Sequence, residues 1–176
     1  MPPLSDLGRR IVICGPSNAG KSTLARALSR KLGVEPIYLD QLHHMPGTDY
    51  RPRPPEEFLR LHDAAIAENG WVMEGNYFAL IPQRLARATG IILLGSEPWR
   101  GLVRYVRRTL FEPVGAGRLD GGIDRLNWDM VRFIVIEQPK KRQRDSKILA
   151  DSGLPMITLD SMRALNALCA AWNLSR

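Results

Sequence analysis

Short apolar runs and four-residue apolar stripes take turns along this chain. Arg9-Arg10-Ile11-Val12-Ile13-Cys14 is a β-branched run stopped by Gly15, the pattern of a buried strand. From Lys21 to Lys31, Leu24, Leu28 and Leu32 recur every fourth position while Arg26 and Arg30 fall off the stripe. That spacing predicts an amphipathic helix ended by Gly33. Ile37-Tyr38-Leu39 predicts a second strand ending at Asp40, followed by a proline- and glycine-rich loop from Gln41 to Pro55. Pro54-Pro55-Glu56-Glu57 predicts a helix start, with proline and acids in the first turn. Its apolar face carries Phe58, Leu61, Ala65 and Ile66, and Asn69-Gly70 ends it. Trp71-Val72-Met73 predicts a third strand leading into Glu74-Gly75-Asn76, and Ile91-Ile92-Leu93-Leu94 a fourth, between Gly90 and Gly95. Trp99, Leu102, Val103, Val106 and Leu110 have helical spacing, and the glycine-rich stretch 111–127 reads as a mobile loop. A further helix is predicted from Trp128 to about Gln138, with Pro139 kinking or ending it. Pro155 to Leu159 predicts a fifth strand, and Ser161 caps a last helix with the stripe Leu165, Leu168, Cys169 and Trp172.

Strands alternating with amphipathic helices predict βαβ units and a parallel sheet covered on both faces. Ligands of such sheets sit at the carboxyl ends of the strands, where the Gly15 loop, Asp40 and Glu74 all fall. The 176 residues suit one domain, and 44% apolar with 24% charged residues excludes wholesale disorder. No apolar stretch is long enough for a membrane helix, and no basic-then-apolar leader opens the chain. Cys14 and Cys169 make no disulfide framework, which predicts a reducing, cytoplasmic setting. A net charge of +7 favours an anionic partner, whether nucleotide phosphates or nucleic acid.

Gly15-Pro16-Ser17-Asn18-Ala19-Gly20-Lys21-Ser22 satisfies the P-loop pattern at every fixed position, between a predicted strand and a predicted helix. The glycines let the backbone curl so that several N–H groups face one phosphate chain, and the helix N-terminus adds its dipole. Lys21 then reaches the β- and γ-phosphates and the Ser22 hydroxyl holds Mg²⁺, with Thr23 continuing the ATP-binding stretch.

This P-loop, Tyr38-Leu39-Asp40, Trp71-Val72-Met73-Glu74-Gly75-Asn76-Tyr77 and the arginine-rich second half together resemble the nucleoside-monophosphate-kinase and shikimate-kinase branch of P-loop proteins. More closely, the chain resembles the adenylate-kinase-related family labelled "DNA topology modulation protein", which usually has Asp where Glu74 stands. The resemblance implies a three-layer α/β fold with a five-stranded parallel sheet, an acceptor-binding insertion at about 41–70 and a lid at about 111–127 over ATP. It further implies that Asp40 binds the acceptor hydroxyl or helps place Mg²⁺, and that the helix before the lid and the lid itself aim arginines, among them Arg104, Arg108 and Arg118, at the phosphates.

Around that centre, Glu74 is a candidate Mg²⁺ anchor or acceptor contact. In adenylate kinases an arginine clamps the acceptor phosphate just after the third segment; here Asn76-Tyr77-Phe78 follows and no arginine occurs until Arg84. Asn76, Arg84 and Arg53 are candidate acceptor contacts, with helix-surface charge the blander reading of Arg84. Arg100, Arg104, Arg107 and Arg108 share a helix face, which is either solvated or turned to phosphate. Lys140, Lys141, Arg142, Arg144 and Lys147 form a basic run, read either as a solvated helix end or as a nucleic-acid contact. His43, His44 and His62 share no ligand spacing, which argues against zinc. The expectation is a cytoplasmic phosphotransferase that passes the γ-phosphate of MgATP to a small acceptor, a nucleotide or nucleoside first and a hydroxylated metabolite second. The alternatives are a nucleotide-dependent nucleic-acid-binding protein and an ATP-binding regulator. The sequence leaves the oligomeric state open.

Overall fold

The computed structural model describes residues 2–95, 103, 106, 128–132 and 137–175. Its five strands, β1 (Arg10–Cys14), β2 (Glu35–Tyr38), β3 (Trp71–Glu74), β4 (Gly90–Leu94) and β5 (Met156–Leu159), lie in the order β2-β3-β1-β4-β5. Every pairing is parallel. β1 is central, with Ile13 paired to Glu74 of β3 on one side and to Ile92 of β4 on the other. That position explains why the run Ile11 to Cys14 is apolar without alternation, since both of its faces are covered. β2, at the edge, has no fully buried residue.

Successive side chains of β1 enter opposite cores. Ile11 and Ile13 join a cluster with Leu24, Leu28, Leu165, Leu168 and Trp172, brought by helices α1 (Lys21–Leu32) and α7 (Met162–Ala171). Val12 and Cys14 join Phe58, Ile66, Ile81 and Leu149, brought by α3 (Pro55–Ala67), α4 (Ile81–Arg87) and α6 (Gln138–Ala150). The result is the three-layer arrangement that the alternation of elements predicts. Gly33 ends α1 in the left-handed conformation, and the Ser161 hydroxyl accepts from Ala164 N at 3.1 Å to cap α7.

Two boundaries differ from expectation. Leu39 opens a short helix, α2 (Leu39–His43), instead of closing β2, so Asp40 sits in a first helical turn and part of the expected loop is helical. Tertiary packing decides this: in the helix Leu39 is wholly buried, against the point where a side chain on Gly75 would project. Pro139 does not end a helix but lies in the first turn of α6, where its missing N–H costs nothing. The basic run therefore lies along α6, not beyond a helix end. Trp128 to Arg132 form α5. Val103 and Val106 are helical as their spacing predicts, while the other residues of that predicted helix and the lid expected at 111–127 lie outside the described residues.

His62 on α3, given no role by its position in the sequence, is fully buried against Phe58, and its Nε2 has no partner among the described residues. Burial pushes its pKa below the ordinary value, outweighing the hydrogen bond to Asp63 at 3.1 Å. A base with a lowered folded pKa stays neutral while the unfolded chain takes up a proton. Stability is then complete above about pH 6.5 and declines as pH falls from there through the lowered folded value. Unfolding free energies of wild type and His62→Leu, compared at pH 7.5 and 5.5, should show the steeper acid loss in wild type. Equal losses would mean that His62 carries no such linkage.

Candidate functional site

The loop after β1 is shaped by positions that exclude ordinary side chains. Gly15 has φ 145°, and a Cβ there would lie 2.5 Å from the carbonyl oxygen of Leu94. Asn18 is left-handed at φ 60°, and Gly20 at φ 93° forms the N-cap of α1. A glycine cap offers no side-chain acceptor, so the first N–H groups of α1 are left for an external anion, aided by the helix dipole. Lys21 folds back, its Nζ donating to Pro16 O at 3.0 Å across the same loop. The stretch Gly15 to Thr23 thus has the backbone, the cation and the helix end that a nucleotide's phosphates require.

Ser22, in the first turn of α1, donates through Oγ to Glu74 Oε1 at 2.7 Å. Glu74 is only 5% exposed at the end of β3, beside both Ile13 and Tyr38. A hydroxyl and a buried carboxylate next to a phosphate cradle form an oxygen donor set that fits Mg²⁺. Ser22 and Glu74 are the residues that would hold it.

The chain then runs through Gly75, Asn76 and Tyr77, and each of the next contacts binds a different part of the site. Asn76 faces the P-loop: its Oδ1 accepts from Gly15 N and its Nδ2 donates to Gly15 O, both at 3.1 Å. Expected as an acceptor contact, it here meets Gly15 at the start of the P-loop. Tyr77 donates from its hydroxyl to Asp40 Oδ1 at 2.7 Å, and burial followed by the Asp40 charge pushes the phenol pKa well up. Arg84, expected as an acceptor contact or a helix-surface charge, is not on the surface. It is fully buried, and it donates to the carbonyls of Gly75 at 2.9 Å, Asn76 at 2.6 Å and Tyr77 at 2.9 Å. The Cys14 thiol beneath this turn is pushed up to about 11 by burial.

Asp40 is exposed at the start of α2. Beside it the rings of His43, Phe58 and Tyr77 meet, with centroids 5.0–5.3 Å apart. Burial, then His44, lowers the His43 pKa. Arg53 pairs with Glu57 at 2.7 Å, and its backbone N–H donates to His43 O at 2.8 Å, which ties the segment before α3 to α2. Tyr77 and the P-loop contact of Asn76 escaped the sequence reading. Their only signal is the Gly-Asn-Tyr string after a strand, which does not say what each side chain faces. Arg104, Arg108 and Arg118 lie outside the described residues. The basic run on α6 is exposed except for its contacts to carboxylates, Arg142 to Asp160 at 3.5 Å and Arg144 to Asp145 at 3.1 Å. No helix among the described residues is long and apolar enough to cross a membrane.

No protein-family model matches the sequence, and no curated protein matches it significantly. Among solved structures, a shikimate kinase from Acinetobacter baumannii in complex with shikimate is similar at TM-score 0.58 and 15% identity, over 96% of this chain and 95% of that one. A gluconokinase from Sinorhizobium meliloti 1021 is similar at TM-score 0.52 and 14% identity, over 95% of each chain. The fold is accordingly that of the three-layer α/β P-loop proteins, in the form these small-molecule kinases share.

Arg84 should be the most costly residue of this region to lose. Arg84→Met leaves three carbonyls without their donor, at about 1–3 kcal/mol for each that stays dry, offset by relief of the buried charge. Urea unfolding should show a net loss of about 2–4 kcal/mol, and Arg84→Lys should recover only part of it, because an ammonium lacks the planar fork. A loss below about 0.5 kcal/mol would be no more than a surface substitution costs.

Proposed function

We propose that this chain is an ATP-dependent phosphotransferase that moves the γ-phosphate of MgATP to a hydroxyl of a small acceptor. One observation carries the reading. The consecutive stretch Glu74 to Tyr77 touches Ser22 and Gly15 on the phosphate side and Asp40 on the other. Its outer Cα atoms lie no more than about 11 Å apart, so a donor phosphate and an acceptor hydroxyl would sit side by side.

In this reading the N–H groups from Pro16-following Ser17 to Thr23 and the Lys21 ammonium bind the phosphate chain. Ser22 and Glu74 would hold Mg²⁺, which would supply neutralisation of the phosphate charge. Lys21 would leave Pro16 O for the phosphate, since a charge–charge contact outbids a carbonyl. Asp40 would accept the hydrogen bond of the acceptor hydroxyl and orient it for in-line attack, with Tyr77 fixing the carboxylate. The fold likeness supports the kinase class, and the adenylate-kinase-related resemblance supports ATP as donor. Arg104, Arg108 and Arg118 are proposed to neutralise charge on the transferred group from the lid side. The two cysteines, both buried and not joined to each other, support a cytoplasmic setting.

For the acceptor, the engagement of Arg84 on three carbonyls moves a nucleoside monophosphate down the order. A hydroxylated metabolite accordingly moves up. Arg53 lies at the rim of this region, where it could meet an anionic group of the acceptor once released from Glu57.

ADP release from MgATP, measured with sugar acids, shikimate-like polyols, nucleosides and nucleoside monophosphates, tests the proposal. One acceptor should raise turnover well above the ATP-only rate, and Lys21→Ala should lower that rate roughly a hundredfold or more. Stimulation by DNA or RNA alone, weakening steeply with salt, would instead favour a nucleic-acid-dependent protein working through α6. Absence of stimulation by every acceptor class would leave a nucleotide-binding regulator.

A further inference from the structure

We propose that Asn76 is a positioning residue for the nucleotide: its side-chain amide sets the affinity of the P-loop for phosphate by holding Gly15. This inference rests on the nucleotide-binding reading above.

The argument begins with where the sheet ends. The β1–β3 ladder has its last residue pair at Ile13 and Glu74, and its last backbone rung is Gly75 N to Ile13 O at 3.2 Å. The next residue of the β1 side to face this strand is Gly15, the first of the P-loop. By then the backbone of β3 has turned away, at a Gly75 with φ 134° whose Cβ position falls 2.8 Å from Leu39 Cβ. The Asn76 side chain takes the place of the missing strand. It accepts from Gly15 N and donates to Gly15 O, each at 3.1 Å, as an opposing peptide would. On the β4 side, Gly15 is pressed against the Leu94 carbonyl, with no room for a Cβ. The peptides on both sides of Gly15 are therefore fixed just where the loop begins to curl.

Asn76 is itself held. Arg84 donates to its backbone carbonyl at 2.6 Å and to the carbonyls on either side. The chain of contact runs from a buried guanidinium to Asn76 to Gly15, with neither side chain needing to touch phosphate. The clasp acts by keeping the free loop in the phosphate-accepting shape. If it is lost, only a fraction of the molecules is competent, and the apparent Kd rises by the inverse of that fraction.

The chemistry of the clasp is specific. It needs one acceptor and one donor side by side, which a primary amide provides and alanine does not. An ionised aspartate offers two acceptors, one of them facing Gly15 O. The Asn76→Asp variant should therefore bind more weakly than Asn76→Ala, which loss of a mere packing contact would not produce.

The experiment is equilibrium binding of MgATP to the full chain at pH 8, for wild type, Asn76→Ala and Asn76→Asp. Wild type should bind. Asn76→Ala should bind roughly tenfold more weakly or worse, as expected for two lost hydrogen bonds. Asn76→Asp should be weaker still than Asn76→Ala. Amide exchange at Gly15, followed by NMR on the unliganded proteins, should be at least roughly tenfold faster in Asn76→Ala; this readout requires no ligand. Affinities within twofold of wild type for both variants, Asn76→Asp binding better than Asn76→Ala, or unchanged exchange at Gly15 would each overturn the proposal. Failure of wild type itself to bind MgATP would overturn the nucleotide reading and this inference with it, an outcome distinct from wild-type binding that the variants preserve.

Discussion

A buried guanidinium with three carbonyl partners is the constraint on which the rest of the site depends. Arg84 comes from α4, seven residues beyond the Glu74 to Tyr77 strap whose last three carbonyls it holds, and its side chain is enclosed between that helix and the end of β3. Burying a charge is costly unless its donors are matched, and here Nη1 and Nη2 are matched by backbone oxygens of three consecutive residues, while Nε has no partner among the described residues. Those oxygens are fixed as a result. So are the side chains they carry, one turned to the P-loop and one to Asp40. Tyr77 is held at φ 25°, a conformation that a tyrosine does not adopt without such restraint.

The donor side is prepared by strain of a second kind. Gly15 and Gly75 both stand where another backbone or side chain occupies the Cβ position, and both lie in φ ranges that favour glycine. They sit at the ends of adjacent parallel strands, β1 and β3, where the sheet stops and the chain must turn within one residue. The uncapped start of α1 faces the same place, and the buried carboxylate of Glu74 lies behind Ser22. Positive and negative groups are thus layered, the backbone N–H groups and Lys21 on the loop and Glu74 buried inside, as the proposed magnesium-bound phosphate chain would require.

The acceptor side is more open. Asp40 is exposed, while the rings of Phe58, His43 and Tyr77 form a wall beside it and tie α2 to α3 and to the strap. The fold shared with a shikimate kinase and a gluconokinase puts no limit on what fills this space, because at 14–15% identity the likeness extends to the architecture alone. What fills it depends on these local side chains.

The alternation of apolar runs and stripes was sufficient to give the five strands, the parallel sheet, α1, α3 and α7, because burial on both faces leaves a periodic trace in the sequence. The P-loop was legible for a similar reason, since its glycines, Lys21 and Ser22 answer to local backbone geometry. The boundary at Leu39 was not legible, because an apolar residue after a strand serves a helix equally well and only the packing against Gly75 decides. Pro139 was ambiguous likewise, since proline both ends helices and opens them. The directions of Asn76, Tyr77 and Arg84 were decided by the tertiary structure alone. Each is a polar residue whose partner lies on another element, Gly15 on β1's loop, Asp40 on α2 and the carbonyls after β3, and no local pattern of the chain records a contact that exists only once the sheet has assembled.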